Sequence, residues 1–251
     1  MLRKRFSTAV PIPTLSIFLA LLLLSSEASA VQAYAAQGVS CLNCHVEFKS
    51  PSKNNHGALG IGCSACHIGA EDKKHPIQKG SMKLIRDVPD LCYGCHKKSK
   101  FQDTDIHPPV AEGKCTTCHD PHGSVFSGLL VCDPPDLCYR CHDRTNYTKK
   151  YLHPIIIGRR CNCHNPHASN YPYLLSTTIN EGCMSCHKDK GSGKHVVSLP
   201  RGKIHPVAGT GPGARNTPRK ISCATCHNPH SSDFRKLFPK ARVCRICHKY
   251  Y

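Results

Sequence analysis

Eight copies of Cys-x-x-Cys-His occur in this chain, and a ninth site reads Cys-Asn-Cys-His. The eight are Cys41, Cys44 and His45; Cys63, Cys66 and His67; Cys92, Cys95 and His96; Cys115, Cys118 and His119; Cys138, Cys141 and His142; Cys183, Cys186 and His187; Cys223, Cys226 and His227; and Cys244, Cys247 and His248. The short one is Cys161, Cys163 and His164. Two thiols at this spacing can bond the vinyl groups of a porphyrin while the adjacent imidazole ligates its iron, the signature of c-type haem attachment. Of the 18 histidines, nine follow a cysteine pair, and the other nine are His56, His75, His107, His122, His153, His167, His195, His205 and His230. Nine six-coordinate irons need nine further axial ligands. Methionine cannot supply them, since only Met1, Met82 and Met184 are present, the last between two haem-binding cysteines. The chemistry read from these residues is bis-histidine ligation, which lacks the methionine that raises a cytochrome's potential.

Paired cysteines can also hold a structural zinc, but zinc does not explain a histidine directly after every pair. A thioredoxin-like redox pair needs a single motif in a βαβ setting, and no such pattern occurs. The haem sites use 18 of the 19 cysteines and leave Cys132. Aligned with Cys115 to His122, the segment Cys161 to His167 lacks one residue between its cysteines. Haem c is therefore expected at eight sites and at the ninth as well; the fallback bonds Cys163 alone and leaves Cys161 free to pair with Cys132.

The elements that position these groups must be slight. A basic start (Arg3, Lys4, Arg5), an apolar run from Ile12 to Leu24 and the stop Ala28-Ser29-Ala30 predict a secretory signal over 1–30, cleaved before Val31. The rival reading is a retained anchor, but the run is short for a bilayer and no later stretch is long enough to span one. Without the leader, 31 basic and 15 acidic residues remain, and nine haems would bring 18 propionate charges, so the basic excess reads as counter-charge for cofactors, not a nucleic-acid surface. The mature chain allots roughly 25 residues to each haem. With no Trp, seven Phe and 19 Pro it cannot build a conventional core. The expected fold is haem-centred and loop-rich, with short α-helices and little or no β-sheet.

Successive proximal histidines are 22, 29, 23, 23, 22, 23, 40 and 21 residues apart, and a longer pattern pairs them. His107-Pro108, the motif ending at His119 with Asp120-Pro121-His122, Leu129-Leu130 and the motif ending at His142 recur from His153-Pro154 through Cys161 to His167 and Leu174-Leu175 to His187, and, without the leucine pair, from His205-Pro206 by way of Cys223 to His230 and on to His248. This marks an array of similar units. The organisation expected is an N-terminal segment over 31–100 with three motifs, then three paired repeats over 101–251.

These residues resemble the doubled CxxCH family of multihaem cytochromes c, over the last 145 residues or so and more loosely from His56 to His96. The resemblance implies closely packed bis-His haems in an exported protein of respiratory or extracellular electron transport. In His-x-x-His (119/122, 164/167, 227/230), a helical turn would put both rings on one face, so the second should serve a neighbouring haem. Histidines before proline (75, 107, 153, 205) should be presented from extended segments. His56 and His195 lack either context, and His195 is the one to suspect of being free. Residues 202–220 read as a flexible basic loop. Asp87 to Leu91 and Asp133 to Leu137 read as turn and N-cap chemistry that starts a short helix.

The function expected is electron carriage between redox partners by a periplasmic, extracellular or outer-membrane-associated protein. Family analogy suggests a quinol-oxidising membrane complex on one side and a terminal reductase or outer-membrane conduit on the other; self-association through the end haems is open. The alternative is a reductase of a small oxyanion or sulfur compound with one five-coordinate haem. No catalytic residue is assigned, and no Cys-x-x-Cys-Lys variant occurs.

Overall fold

The computed structural model describes residues 40–49, 52–157, 163–192, 194–196, 200–212 and 218–248. The leader, Cys161 and residues 213–217 lie outside this set. The chain divides into two units, Met1–Ser50 and Pro51–Tyr251. In the first, the Ser40 hydroxyl accepts the Leu42 N–H at 3.3 Å and opens a turn over Cys41–Asn43, which a second turn over Val46–Phe48 follows.

Among the described residues, helices in the second unit are one turn or little more, the longest being Ile179–Met184. Sheet among them is confined to two-stranded antiparallel ribbons with strands of two to four residues. This is the loop-rich architecture that the composition implied. The only buried apolar side chains among the described residues are Ala168 and Ile221.

Three ribbons repeat one junction. Asn54–Asn55 pairs with Gly123–Ser124, Asp105–Ile106 with Ala168–Ser169, and Tyr151–Leu152 with Ser231–Ser232. Each sets the strand before one histidine against the strand after another, and a main-chain bond ties the two: His56 N–H to His122 O at 3.2 Å, His107 to His167 at 3.0 Å, His153 to His230 at 2.9 Å. Every unit is thus sewn to the next by the same device, the nearest-neighbour logic of a repeat protein. Small residues permit the close approach: Ser124, Ala168, Ser169, Ser231 and Ser232 are all buried.

The serines also close a tight loop. Ser124 Oγ donates to Leu130 O at 2.5 Å and accepts from Phe126 N at 3.0 Å; Ser169 bridges Leu175 O and Tyr171 N, and Ser232 bridges Phe238 O and Phe234 N, in the same way. At each loop tip two successive residues are left-handed: Gly128 and Leu129 (φ +69° and +57°), Tyr173 and Leu174 (+63° and +55°), Lys236 and Leu237 (+58° and +57°). A non-glycine residue there costs about 1–2 kcal/mol, and the site described below gives the reason it is tolerated.

Two glycines grade that cost. At Gly128 (φ +69°) a Cβ would have ordinary contact with Leu130 Cγ at 4.0 Å, whereas at Gly113 (φ +71°) it would lie 2.6 Å from the rigid ring of Pro89. Gly128→Ala is expected to lower stability by about 1 kcal/mol, and Gly113→Ala by about 2–4 kcal/mol. Thermal melts of the two holoproteins check the ranking, and equal losses would refute it.

Two expectations need correction. Short helices do start at Asp90 and Asp136, but the N-cap residues are Pro89 and Pro135, which carry no side-chain acceptor; Asp87 and Asp133 contribute their main-chain carbonyls, to Leu91 N at 2.9 Å and Leu137 N at 3.2 Å. The stretch taken as a flexible loop contains a hairpin, Gly209–Pro212 against Pro218–Ile221. Its prolines face each other at the last rung, where a missing N–H costs little, and buried Ile221 anchors the other end.

Candidate functional site

The attachment motif works as a single helical turn. The histidine N–H bonds back to the carbonyl of the first cysteine at 2.9–3.0 Å in the motifs at His45, His96, His119, His142, His187, His227 and His248. The second cysteine bonds to that same carbonyl, at 3.1–3.3 Å from the N–H of Cys44, Cys66, Cys95, Cys118, Cys141, Cys186 and Cys247; Cys226 closes the helical turn Cys223–Cys226. The i to i+4 closure sets the first thiol, the second thiol at i+3 and the imidazole at i+4 on one side of the turn. That is why two intervening residues suit the chemistry.

The thiols are open to a cofactor. None of the described motif cysteines is in a disulfide or fully buried: Cys41, Cys44, Cys63, Cys95, Cys138, Cys141, Cys163, Cys186 and Cys244 are exposed, while Cys66, Cys92, Cys115, Cys118, Cys183, Cys223, Cys226 and Cys247 are half-buried. Thiols that served as small core hydrophobes would instead be enclosed. The remaining cysteine, Cys132, carries a half-buried free thiol.

The structure then brings the imidazoles together in pairs. Ring centroids are 6.0 Å apart for His56 and His96, 6.0 Å for His67 and His122, 6.1 Å for His107 and His142, 5.8 Å for His119 and His167, and 6.0 Å for His164 and His230. Interplanar angles in these five pairs run from 10° to 24°. His153 and His187 are 6.2 Å apart at 38°, and His205 and His248 are 6.2 Å apart at 68°. Metal–nitrogen bonds of about 2.0–2.1 Å on either side of an ion, plus the half-widths of two rings, separate trans imidazole centroids by roughly 6 Å. The spacing therefore fits two axial ligands on one iron.

Hydrogen bonds fix which nitrogen is offered. A carbonyl can only accept, so Nδ1 donates: His56 to Pro121 O (2.9 Å), His107 to Pro166 O (3.0 Å), His205 to Pro206 O (2.9 Å), and His119, His164 and His227 to the carbonyls of Gly128, Tyr173 and Lys236 (2.8 Å each). Nε2 is left as the free lone pair, and the bond orients the ring and strengthens it as a ligand. The last three acceptors are the left-handed loop tips. Their strained conformation is what aims a carbonyl at a proximal imidazole. His75 Nδ1 meets Ser81 Oγ at 3.0 Å, and in the first unit His45 Nδ1 meets Glu47 Oε1 at 3.3 Å. His153 Nδ1 is buried without a hydrogen-bond partner.

Burial first, then the facing imidazole, lowers the pKa of His153, His167 and His230, which favours the neutral form that a metal requires. Burial followed by the Cys223 thiol pushes the Cys183 thiol up to about 11, and burial followed by the Cys115 thiol raises Cys92. These contacts set the closing motif of one repeat against the opening motif of the next.

Sequence reasoning went astray at four ligand candidates, the three second histidines of His-x-x-His and His56. His-x-x-His is not helical: an Asx turn holds each second histidine, with His122 N donating to Asp120 Oδ1 (2.9 Å), His167 N to Asn165 Oδ1 (3.1 Å) and His230 N to Asn228 Oδ1 (3.0 Å). The second ring does face a different partner, but because the turn reverses it into the preceding repeat. His56, taken as lacking context, occupies the same place as His107: extended backbone (φ −70°, ψ 129° against −61°, 127°) at the start of a helical turn, with the same bond across the junction. Glycine follows His56 where proline follows His107, so the dipeptide signal was missing while the geometry was kept.

The short motif keeps the full geometry downstream of its deletion. His164 makes the same 2.8 Å bond as His119 and His227, and Asn165 N–Leu174 O at 2.7 Å equals Asn228 N–Leu237 O. The loop serines at 124, 169 and 232 were not foreseen. Their fixed distance of five residues after His119, His164 and His227 was the available signal. Aromatic contacts were missed too: Tyr93 packs on Phe101, whose ring meets His167 edge-on at 5.2 Å, and Tyr139 packs on Tyr147, whose ring meets His230 at 4.8 Å.

A relative, the multiheme cytochrome MtrA of Shewanella baltica (strain OS185), is 30% identical over 90 residues, 34% of this chain and 25% of that protein. The chain thus matches about a quarter of the relative's length. The doubled CXXCH motif family matches four segments, 56–101, 107–147, 153–192 and 217–251. Together they cover more than half of the residues, so the chain belongs to the doubled CXXCH motif family of multihaem cytochromes c, whose paired motifs indicate haem c binding.

Proposed function

We propose that this protein is an exported electron carrier in which all nine motifs, the short one included, hold a covalently attached haem c with two axial histidines. The observation that carries this reading is the series of seven imidazole pairs at 5.8–6.2 Å, each joining a motif histidine to a non-motif one. When bound, haem supplies one-electron redox chemistry at iron. The chain's own residues do the rest. His96, His142, His187 and His248 are the proximal ligands of the closing sites, with His56, His107, His153 and His205 opposite them. His67, His119 and His164 are the proximal ligands of the opening sites, with His122, His167 and His230 opposite. At these seven sites both axial positions of a bound haem would be taken by protein, leaving no coordination position for a small molecule, which favours carriage over catalysis.

The short motif supports a ninth haem because His164 and His230 face each other as the other pairs do. Redox proteins are the partners in this reading: a quinol-oxidising membrane complex as donor and a terminal reductase or outer-membrane conduit as acceptor. Among the described residues no helix is long and apolar enough to cross a membrane. The periplasm is the proposed location.

One preparation tests the reading. The oxidised protein is expected to give only low-spin haem signals, the reduced protein to take up no carbon monoxide, and the intact mass to show nine haem additions. A stoichiometric high-spin haem in the native protein would replace the carrier by a reductase, and eight additions would remove haem from the site of Cys161 and Cys163.

A further inference from the structure

The three turns that present His122, His167 and His230 are alike except for a charge. His122 N–H is held by Asp120 Oδ1 at 2.9 Å, His167 N–H by Asn165 Oδ1 at 3.1 Å and His230 N–H by Asn228 Oδ1 at 3.0 Å. The main chain is pinned in the same way behind them: Asp120 N–H donates to Leu129 O at 2.8 Å, and Asn165 N–H to Leu174 O and Asn228 N–H to Leu237 O at 2.7 Å each. An amide oxygen therefore makes this turn as well as a carboxylate does, and the turn alone gives no reason for an acid at 120. We infer that Asp120 is a tuning residue: its carboxylate, acting through His122, lowers the potential of the haem proposed for Cys63 and Cys66, and the amides of Asn165 and Asn228 leave the haems opposite His167 and His230 without that charge. This inference rests on the bis-histidine reading above.

Geometry directs the charge. Asp120 Oδ1 stands 3.6 Å from His122 Nδ1, too long for a hydrogen bond but close for a charge. His122 in turn faces His67 at 6.0 Å with the rings 15° from parallel. The haem concerned is therefore that of the preceding repeat, not the one whose motif Asp120 follows. Ferric haem carries one positive charge more than ferrous haem, so a carboxylate on the outer side of an axial imidazole stabilises the oxidised state. A group beside the outer nitrogen of a metal-bound imidazole also raises its basicity, which works in the same direction. Both are among the levers by which a protein sets a haem potential. The side chains of Asp120 and His122 are 46% and 39% exposed, so water screens part of the charge and the effect is moderate.

The chain supplies its own control for charge against shape. His167 faces His119 at 5.8 Å and 24° much as His122 faces His67, and the same Pro-His follows the turn residue at 120 and at 165. Exchanging acid and amide at these two positions moves one charge between matched turns, while a side-chain oxygen remains at each to accept the histidine N–H. A residue kept only for the turn would leave both potentials where they are.

The test is a potentiometric titration of the full holoprotein, followed in its visible haem bands. Asp120→Asn is expected to move one haem per chain upward. At the potential where that haem was half reduced, its reduced-to-oxidised ratio should rise about three- to tenfold, or roughly 30–60 mV for one electron. Asn165→Asp is expected to move a different haem, that of His119, downward by a similar factor. Both variants should stay low-spin, since each turn keeps its acceptor. In a protein that also carries Cys63→Ser and Cys66→Ser, Asp120→Asn should shift nothing, because the haem it acts on is gone. His122→Ala is the control for ligation and should give one high-spin haem that binds carbon monoxide when reduced. An unshifted Asp120→Asn beside a responding His122→Ala overturns the tuning role alone. A shift that persists without Cys63 and Cys66 overturns it too, by placing the charge on another haem. A His122→Ala protein with no high-spin haem overturns the bis-histidine pairing itself.

Discussion

Made without haem attachment, for example with every motif cysteine replaced by serine, the chain is expected to have no cooperative unfolding transition, a coil-like far-ultraviolet spectrum and rapid proteolysis. The reasons are additive. Only Ala168 and Ile221 are buried apolar side chains among the described residues. The longest helix among the described residues, Ile179–Met184, has six residues, far below the roughly 12–15 at which an isolated helix becomes even marginal in water. The ribbons have two strands each, and a lone two-stranded ribbon is likewise marginal. No conformational entropy cost of ordering some 200 residues can be met from such burial. In the proposed reading, covalent haem would supply both apolar surface and iron–imidazole bonds between segments as distant as His56 and His96, and its binding energy would then be folding energy. The holoprotein, by contrast, should melt in one transition or in a few repeat-sized steps. A cysteine-free chain that melts cooperatively would show that the polypeptide holds its own fold.

The same features explain what could be read in advance. Cysteine and histidine positions carry the site because haem attachment demands fixed covalent spacing, so all nine motifs and the candidate axial histidines stand out as residue types. Poor burial follows from composition. What could not be read is which imidazoles meet. The pairing of His119 with His167 depends on an Asx turn at Asn165, on the small pair Ala168–Ser169 that lets Asp105–Ile106 approach, and on a left-handed turn at Tyr173–Leu174. None of these has hydrophobic periodicity, the signal on which element prediction rests. Tyr173 and Lys236 even oppose it, since a large residue is a poor local choice for positive φ. Local preference is overruled there because the carbonyl so aimed holds a proximal histidine, which is the kind of place where local and global demands are expected to conflict.

That long-range wiring sets up a sharp result for His167→Ala. The substituted residue lies three positions from His164, yet in the proposed reading the haem it is expected to open is the one that Cys115 and Cys118 would hold, since the motif histidine His119 faces His167 at 5.8 Å. The haem of His164 should stay low-spin, because its facing ring is His230. One haem per chain should therefore become high-spin in the oxidised state and bind carbon monoxide when reduced. Stability should fall as well, since an iron–imidazole bond that ties two repeats is lost, although the main-chain bond from His107 N to residue 167 O at 3.0 Å remains available. Adding Cys115→Ser and Cys118→Ser to the variant identifies the affected site. If His167 serves the preceding repeat, the triple variant has one haem fewer and no high-spin signal; a high-spin signal that persists would place His167 on its own motif's haem. Phe101 sharpens the expectation, because its ring packs edge-on against His167 at 5.2 Å and lines the position that the alanine vacates. With an apolar ring edge on that side, the opened iron should favour carbon monoxide over water, and Phe101→Ala added to His167→Ala should weaken that preference.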